Sequence, residues 1–155
     1  MLSEKLHFAK GLAPAADRFN TNPPTDVYNL GLAEDITFIV AHAGGTTGKA
    51  TITVEACDDV TPSNTTAIPF RYRRMTTGAD DTMGDISVAT AAGIDTVPTE
   101  DTLIEINVRA SELTAGKPFV RLKLTEAVND PVVGFVLAIL GNPRYQGETQ
   151  PSVLA

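Results

Sequence analysis

Apolar and polar residues alternate along much of this chain with a period of two, the spacing of a strand that buries one face. In 51–57, Ile52, Val54 and Ala56 share one face, and Thr51, Thr53, Glu55 and Cys57 the other. The same pattern predicts a strand over 103–108 with Ile104, Ile106 and Val108 inward. Another is predicted over 119–125, with Val120, Leu122 and Leu124 inward and Arg121 and Lys123 in water. Two segments are apolar almost throughout, 36–42 and 132–140. The second is expected to be a central strand covered on both sides, in the middle of the core. Pro69 lacks an N–H, so a strand over 68–74 is expected at a sheet edge or to begin there. A short strand is expected in 86–89. Turn-forming clusters of Gly, Pro, Asn, Asp and Ser separate these runs at 43–48, 58–67 and 76–81. The first is expected to close a hairpin between 36–42 and 51–57, and 110–113 to make one helical turn before Gly116.

This pattern predicts an all-β fold, an antiparallel β-sandwich or related barrel of about 7–8 strands with extended N- and C-terminal arms. Residues 27–140 form the expected sandwich domain, 1–26 an N-terminal arm and 141–155 a C-terminal tail. The arms are interrupted by Pro14, Pro23 and Pro24, and by Pro143, Gly147 and Pro151. They retain apolar anchors, among them Leu6, Phe8, Phe19 and Tyr145, and are expected to gain order by docking on something.

A length of 155 residues suits one domain. The formal charge of −7 sets up a field that repels nucleic acid and anionic lipid headgroups, so neither is expected as a partner. The longest apolar run, 132–140, is far short of the roughly 20 residues that span a bilayer as a helix. Charged residues interrupt the first ten positions, so export by a signal peptide is not expected, and the Asn64-Thr65-Thr66 sequon is then uninformative. Cys57 is the sole cysteine, which excludes an intramolecular disulfide.

Gly44-Gly45-Thr46-Thr47-Gly48-Lys49 has the look of a phosphate loop, but Ala43 stands where its first glycine belongs and Ala50 where its hydroxyl belongs. A turn between strands is the better reading. Cys57 with His42 and Asp58 or Asp59 supplies the parts of a nucleophilic site. The acidic neighbours raise a thiol's pKa, however, and an inert thiol is expected. His7 and His42 are too few and too scattered for a transition-metal site. Acidic clusters at Asp58-Asp59, Asp80-Asp81 with Asp85, and Glu100-Asp101 lack the alternating spacing of a calcium loop and read as solvated turns. No catalytic residue, metal or cofactor is expected. The basic cluster Arg71-Tyr72-Arg73-Arg74 is expected to pair with carboxylates of a neighbouring subunit or loop.

The order of landmarks resembles that of small structural proteins of tailed bacteriophages and prophages. They are Ile36-Thr37-Phe38-Ile39-Val40, the Gly44–Gly48 turn, Thr51 through Asp59, and Ile68-Pro69-Phe70-Arg71-Tyr72-Arg73. Ile104-Glu105-Ile106-Asn107-Val108, Phe119 through Leu124 and Gly141-Asn142-Pro143-Arg144-Tyr145 complete the set. Size, acidity and sandwich character are similar to those of head decoration, or cement, proteins. The resemblance implies a non-enzymatic virion component made in the host cytoplasm, a homotrimer on the capsid surface that stabilises the head by binding the major capsid protein. Leu6, Phe8, Phe19, Arg71, Arg73, Arg74 and Tyr145 are then the expected capsid or subunit contacts. A tail or connector component shares much of the pattern. A carbohydrate-binding sandwich is disfavoured by the lack of Trp and by only three tyrosines, Tyr28, Tyr72 and Tyr145.

Overall fold

Alternation in the sequence becomes strand after strand in a computed structural model, which describes residues 6–76 and 82–143. Among these residues the strands are β1 (Leu6–Ala15), β2 (Tyr28–Asn29), β3 (Ala33–His42), β4 (Lys49–Cys57), β5 (Thr65–Ile68) and β6 (Phe70–Thr76). The chain continues through β7 (Ser87–Ala89), β8 (Ile94–Asp95), β9 (Thr102–Arg109), β10 (Phe119–Val128) and β11 (Gly134–Pro143). One 3-10 turn, Ala110–Glu112, follows β9 where a helical turn was expected. A six-stranded sheet runs β1-β11-β3-β9-β6-β7, and a five-stranded sheet runs β2-β10-β4-β5, with β8 pairing β4 beside that path. The fold is therefore an all-β antiparallel sandwich, and the barrel alternative falls because the two sheets do not close on each other.

The alternation fixes which side chains meet between the sheets. Ile36, Phe38 and Val40 of β3, Ile104, Ile106 and Val108 of β9, and Val136, Ala138 and Leu140 of β11 face Ile52, Val54 and Ala56 of β4 and Val120, Leu122 and Leu124 of β10. All are buried. Tyr28 and Phe38 meet edge to face, with ring centroids 5.7 Å apart, in the favoured geometry for an aromatic pair.

The structure departs from the sequence reading at four places. First, β3 and β4 lie in different sheets, so 43–48 is a crossing and not a hairpin turn. The loop is held from outside: Gly44 N–H donates to Asp101 Oδ1 (2.7 Å), Gly45 N–H to the Pro98 carbonyl (2.7 Å) and Thr47 N–H to Asp130 Oδ2 (3.0 Å). A Cβ on Gly48 would collide with the Asp130 carbonyl, which accounts for glycine there. Second, 68–74 is not one strand. β5 ends at Ile68 in one sheet and β6 begins at Phe70 in the other, with Pro69 at the joint where no N–H is needed.

Third, β11 lies inside its sheet between β1 and β3 but is covered on one side only: Val136, Ala138 and Leu140 are buried, whereas Phe135 is exposed and Leu137 and Ile139 are half-buried. Fourth, the described part of 1–26 is extended but docks on its own sandwich. β1 pairs with β11 from Leu6↔Gly141 onward, Thr25 N–H donates to the Leu122 carbonyl, and Phe19 is fully buried. The expected boundary at residue 26 therefore does not separate an arm from a core. The eleven strands among the described residues exceed the expected seven or eight because the sequence reading assigns no strand at β1, β2 or β8, and 68–74 divides into β5 and β6.

Candidate functional site

The outward positions of the six-stranded sheet carry the surface that stands out. Strand pairing places them in rows across the sheet. One row reads Arg73, Glu105, Ile39, Leu137 and Lys10, from β6 through β9, β3 and β11 to β1. The next reads Arg71, Asn107, Thr37, Ile139 and Phe8. On the other side lie Met75, Leu103, Ala41 and Phe135. Ile39, Leu103, Leu137 and Ile139 are half-buried, flanked by Phe8 at 43% exposure and Phe135 at 39%. Val133, just before β11, is also exposed. Protein surfaces rarely present so continuous an apolar strip to water unless something docks on it.

At the β6 side the face turns polar. Arg71 Nη2 donates to Glu112 Oε1 (2.5 Å) and Arg73 Nη2 to Glu105 Oε2 (2.6 Å), so each guanidinium is paired within the chain. The basic cluster therefore has intramolecular carboxylate partners, one on the neighbouring strand and one on the 3-10 turn. Arg71, Arg73, Ile86, Glu105, Asn107 and Arg109 with Tyr72 line a shallow depression of about 240 Å³.

The expected contact residues divide. Phe8, Arg71 and Arg73 lie on this face and Leu6 sits half-buried at its β1 edge. Phe19 is not available for contact, because it packs edge to face on His42 in the interior (5.9 Å). Arg74 projects from the opposite side of β6, stacks over Tyr72 (5.4 Å) and donates to the Asp95 carbonyl (2.6 Å). Tyr145 lies outside the described residues. Sequence reasoning missed Lys10, Ile39, Leu103, Phe135, Leu137 and Ile139. For Phe135, Leu137 and Ile139 the signal was present in the two-sided apolar run 132–140, which was read as double burial.

The nucleophile parts do not assemble. His42 ends β3 and Cys57 ends β4, at opposite ends of strands in different sheets. Burial pushes the Cys57 thiol up to about 11, with Glu55 and Asp58 adding to the shift and Arg121 and Lys117 opposing it. Burial likewise holds His42 below the ordinary imidazole range, as does Arg74, against the Ala43 carbonyl and Asp101. Its Nδ1 lies 3.2 Å from that carbonyl, and its Nε2 finds no partner among the described residues. Asp58 accepts from Ser63 and the Asn64 N–H, and Asp101 from Gly44, so these carboxylates close turns. Among the described residues no three potential ligands converge on a metal position. No helix there is long and apolar enough to cross a membrane.

Compared with known proteins, the chain matches no family model and no curated sequence.

Proposed function

We propose that this chain is a non-enzymatic structural protein of a tailed-phage virion, acting by surface-to-surface assembly, with decoration of the head lattice as its leading role. The apolar outer face of the six-stranded sheet carries the reading. A sandwich needs one apolar face per sheet to build its core. A second apolar face contributes little to the monomer and serves contact with another surface. The order of sequence landmarks supplies the phage context, the major capsid protein as partner and the capsid surface as location. Tyr28 is fully buried and Tyr72 packs edge to face on Phe70, which leaves little material for a sugar-stacking platform.

The test is mass spectrometry and electron microscopy of virions from the host that makes the chain. The expected result is a fixed stoichiometry with the major capsid protein and density on the outer head surface. Density confined to the tail would move the role to a tail or connector component. Absence from purified virions would overturn the reading.

A further inference from the structure

We propose that the outer face of the six-stranded sheet pairs with the same face of a second copy of this chain, about a two-fold axis parallel to β3 and β11 and midway between them. The proposal rests on the assembly reading for the expectation that copies meet, and sets a two-fold pair in place of the trimer that the resemblance implies. The contact itself follows from strand order.

A two-fold axis lying between stacked sheets and parallel to the strands sets each strand opposite its mirror position in the other copy. Among axes parallel to the strands, only the one between β3 and β11 sets apolar on apolar and opposite charges together in the row Arg73, Glu105, Ile39, Leu137, Lys10, leaving Arg73 unopposed at the end. Between β3 and β11, Ile39 meets Leu137 and Glu105 meets Lys10. An axis on β3 would set Lys10 against Arg73, which is like against like. An axis on β11 would press Ile39 onto Lys10, one between β3 and β9 would press it onto Glu105, and one between β11 and β1 would press Leu137 onto Lys10. The favoured axis also brings Phe135 over Ala41, Ile139 over Thr37 and Phe8 over Asn107, so the large side chains fall on small or polar ones.

Electrostatics agree. The chain as a whole is at −7, yet this face carries Lys10, Arg71, Arg73 and Arg109 against Asp35, Glu105 and Glu112. It is thus a face on which two acidic chains approach with little repulsion. Glu105 already accepts from Arg73, and a carboxylate has room for a second cationic donor. Four strands at ~4.8 Å and about eight residues at ~3.3 Å give a footprint of about 500 Å² before side-chain relief. That places the contact at the small end of specific interfaces and predicts dissociation on the order of micromolar.

Sedimentation equilibrium of the purified full chain through the micromolar range tests the proposal apart from any virion. A dimer is expected, with Leu137→Glu monomeric at unchanged circular dichroism and Thr53→Glu, on the other sheet's outer face, still dimeric. Should Leu137→Glu fail to fold, the exposed position Lys10 decides. Lys10→Glu is expected to raise Kd about tenfold, and adding Glu105→Lys to it to recover most of that loss. A wild-type monomer, a trimer, or a dimer indifferent to both Leu137→Glu and Lys10→Glu would overturn the two-fold contact. Each would leave the virion reading to stand or fall on the virion's own composition.

Discussion

At their central outward positions β4 and β10 hold Thr51, Thr53, Glu55, Arg121, Lys123 and Thr125, whereas β3 and β11 hold Thr37, Ile39, Ala41, Phe135, Leu137 and Ile139. Both pairs are interior to their sheets, and both bury their inward side chains completely or nearly so. The inward faces are interchangeable in character and the outward faces are opposites. One sheet surface is finished for water, with the Arg121–Glu55 pair at 2.7 Å lying across its two central strands. The other keeps apolar side chains half-buried or exposed. Core formation therefore explains only half of the apolar content of β3 and β11, and the proposed assembly contact would use the remainder.

Adjacent positions on β11 offer the sharpest way to break that contrast. Val136→Asp places an unpaired charge among Phe38-type core neighbours and is expected to cost about 3–5 kcal/mol in urea unfolding. Leu137→Asp, one residue on, is expected to cost about 1 kcal/mol or less at dilute protein. Equal losses would mean that the outer face is part of the core after all.

Ion pairs give the next largest difference. Side chains of Glu55 and Arg121 are 12% and 19% exposed, against 26% and 37% for Glu105 and Arg73. Glu55→Gln should therefore cost about 1–3 kcal/mol, because it strands a mostly buried guanidinium. Glu105→Gln should cost less than about 1 kcal/mol in the dilute monomer. Thermal melts of the two variants read the difference.

The inward end of β3 responds to pH. His42 is held below its ordinary value, so as pH falls the unfolded chain takes up the proton first. Its contribution is complete above about pH 6.5 and is lost as pH falls from there toward the folded value, with a slope of at most ~1.4 kcal/mol per pH unit. Denaturation midpoints between pH 7.5 and 5 are expected to fall in the wild type and to flatten in His42→Gln. The lowered values of Asp58, Asp95 and Asp130 act in a separate, more acidic window, below the ordinary carboxylate value.

Cys57 is expected to show a small effect. A thiol raised to about 11 and buried reacts slowly at neutral pH, so a thiol reagent should label it fast only after unfolding. Cys57→Ala should change stability by about 1 kcal/mol. Rapid native labelling would restore the thiol as a chemical group worth pursuing.

Individual strands were legible in the sequence, and sheet membership was not. Ile104, Ile106, Val108, Val120, Leu122 and Leu124 face inward as their alternation predicts, because a half-buried strand leaves a local two-residue signature. Whether 43–48 turns back or crosses to the other sheet leaves no local trace, and the loop's partners Asp101 and Asp130 lie far along the chain. Phe19 shows the same limit: its flanking prolines and polar residues read as an arm, while its burial depends on contacts such as that with His42. Phe8 was read as an apolar anchor of an arm and Arg71 and Arg73 as part of a basic cluster, and all three lie on the outer face of the six-stranded sheet. The apolar strip between them was hidden, since a two-sided apolar run looks alike whether a second layer of the same chain or another molecule covers it.

The pairing of β1 with β11 also sets an order of events during synthesis. Of the described strands, β1 is made first, and its one partner in the sheet is made last. From the synthesis of β1 until that of β11, Leu6–Ala15 must remain an open edge, with the charge of Lys10 and the proline at 14 discouraging premature pairing. The six-stranded sheet is thus completed only after Pro143 has emerged, and the loop that this last pairing closes spans almost the whole described chain. Such a chain folds as a finished product rather than piece by piece, so its rate is governed by that last closure.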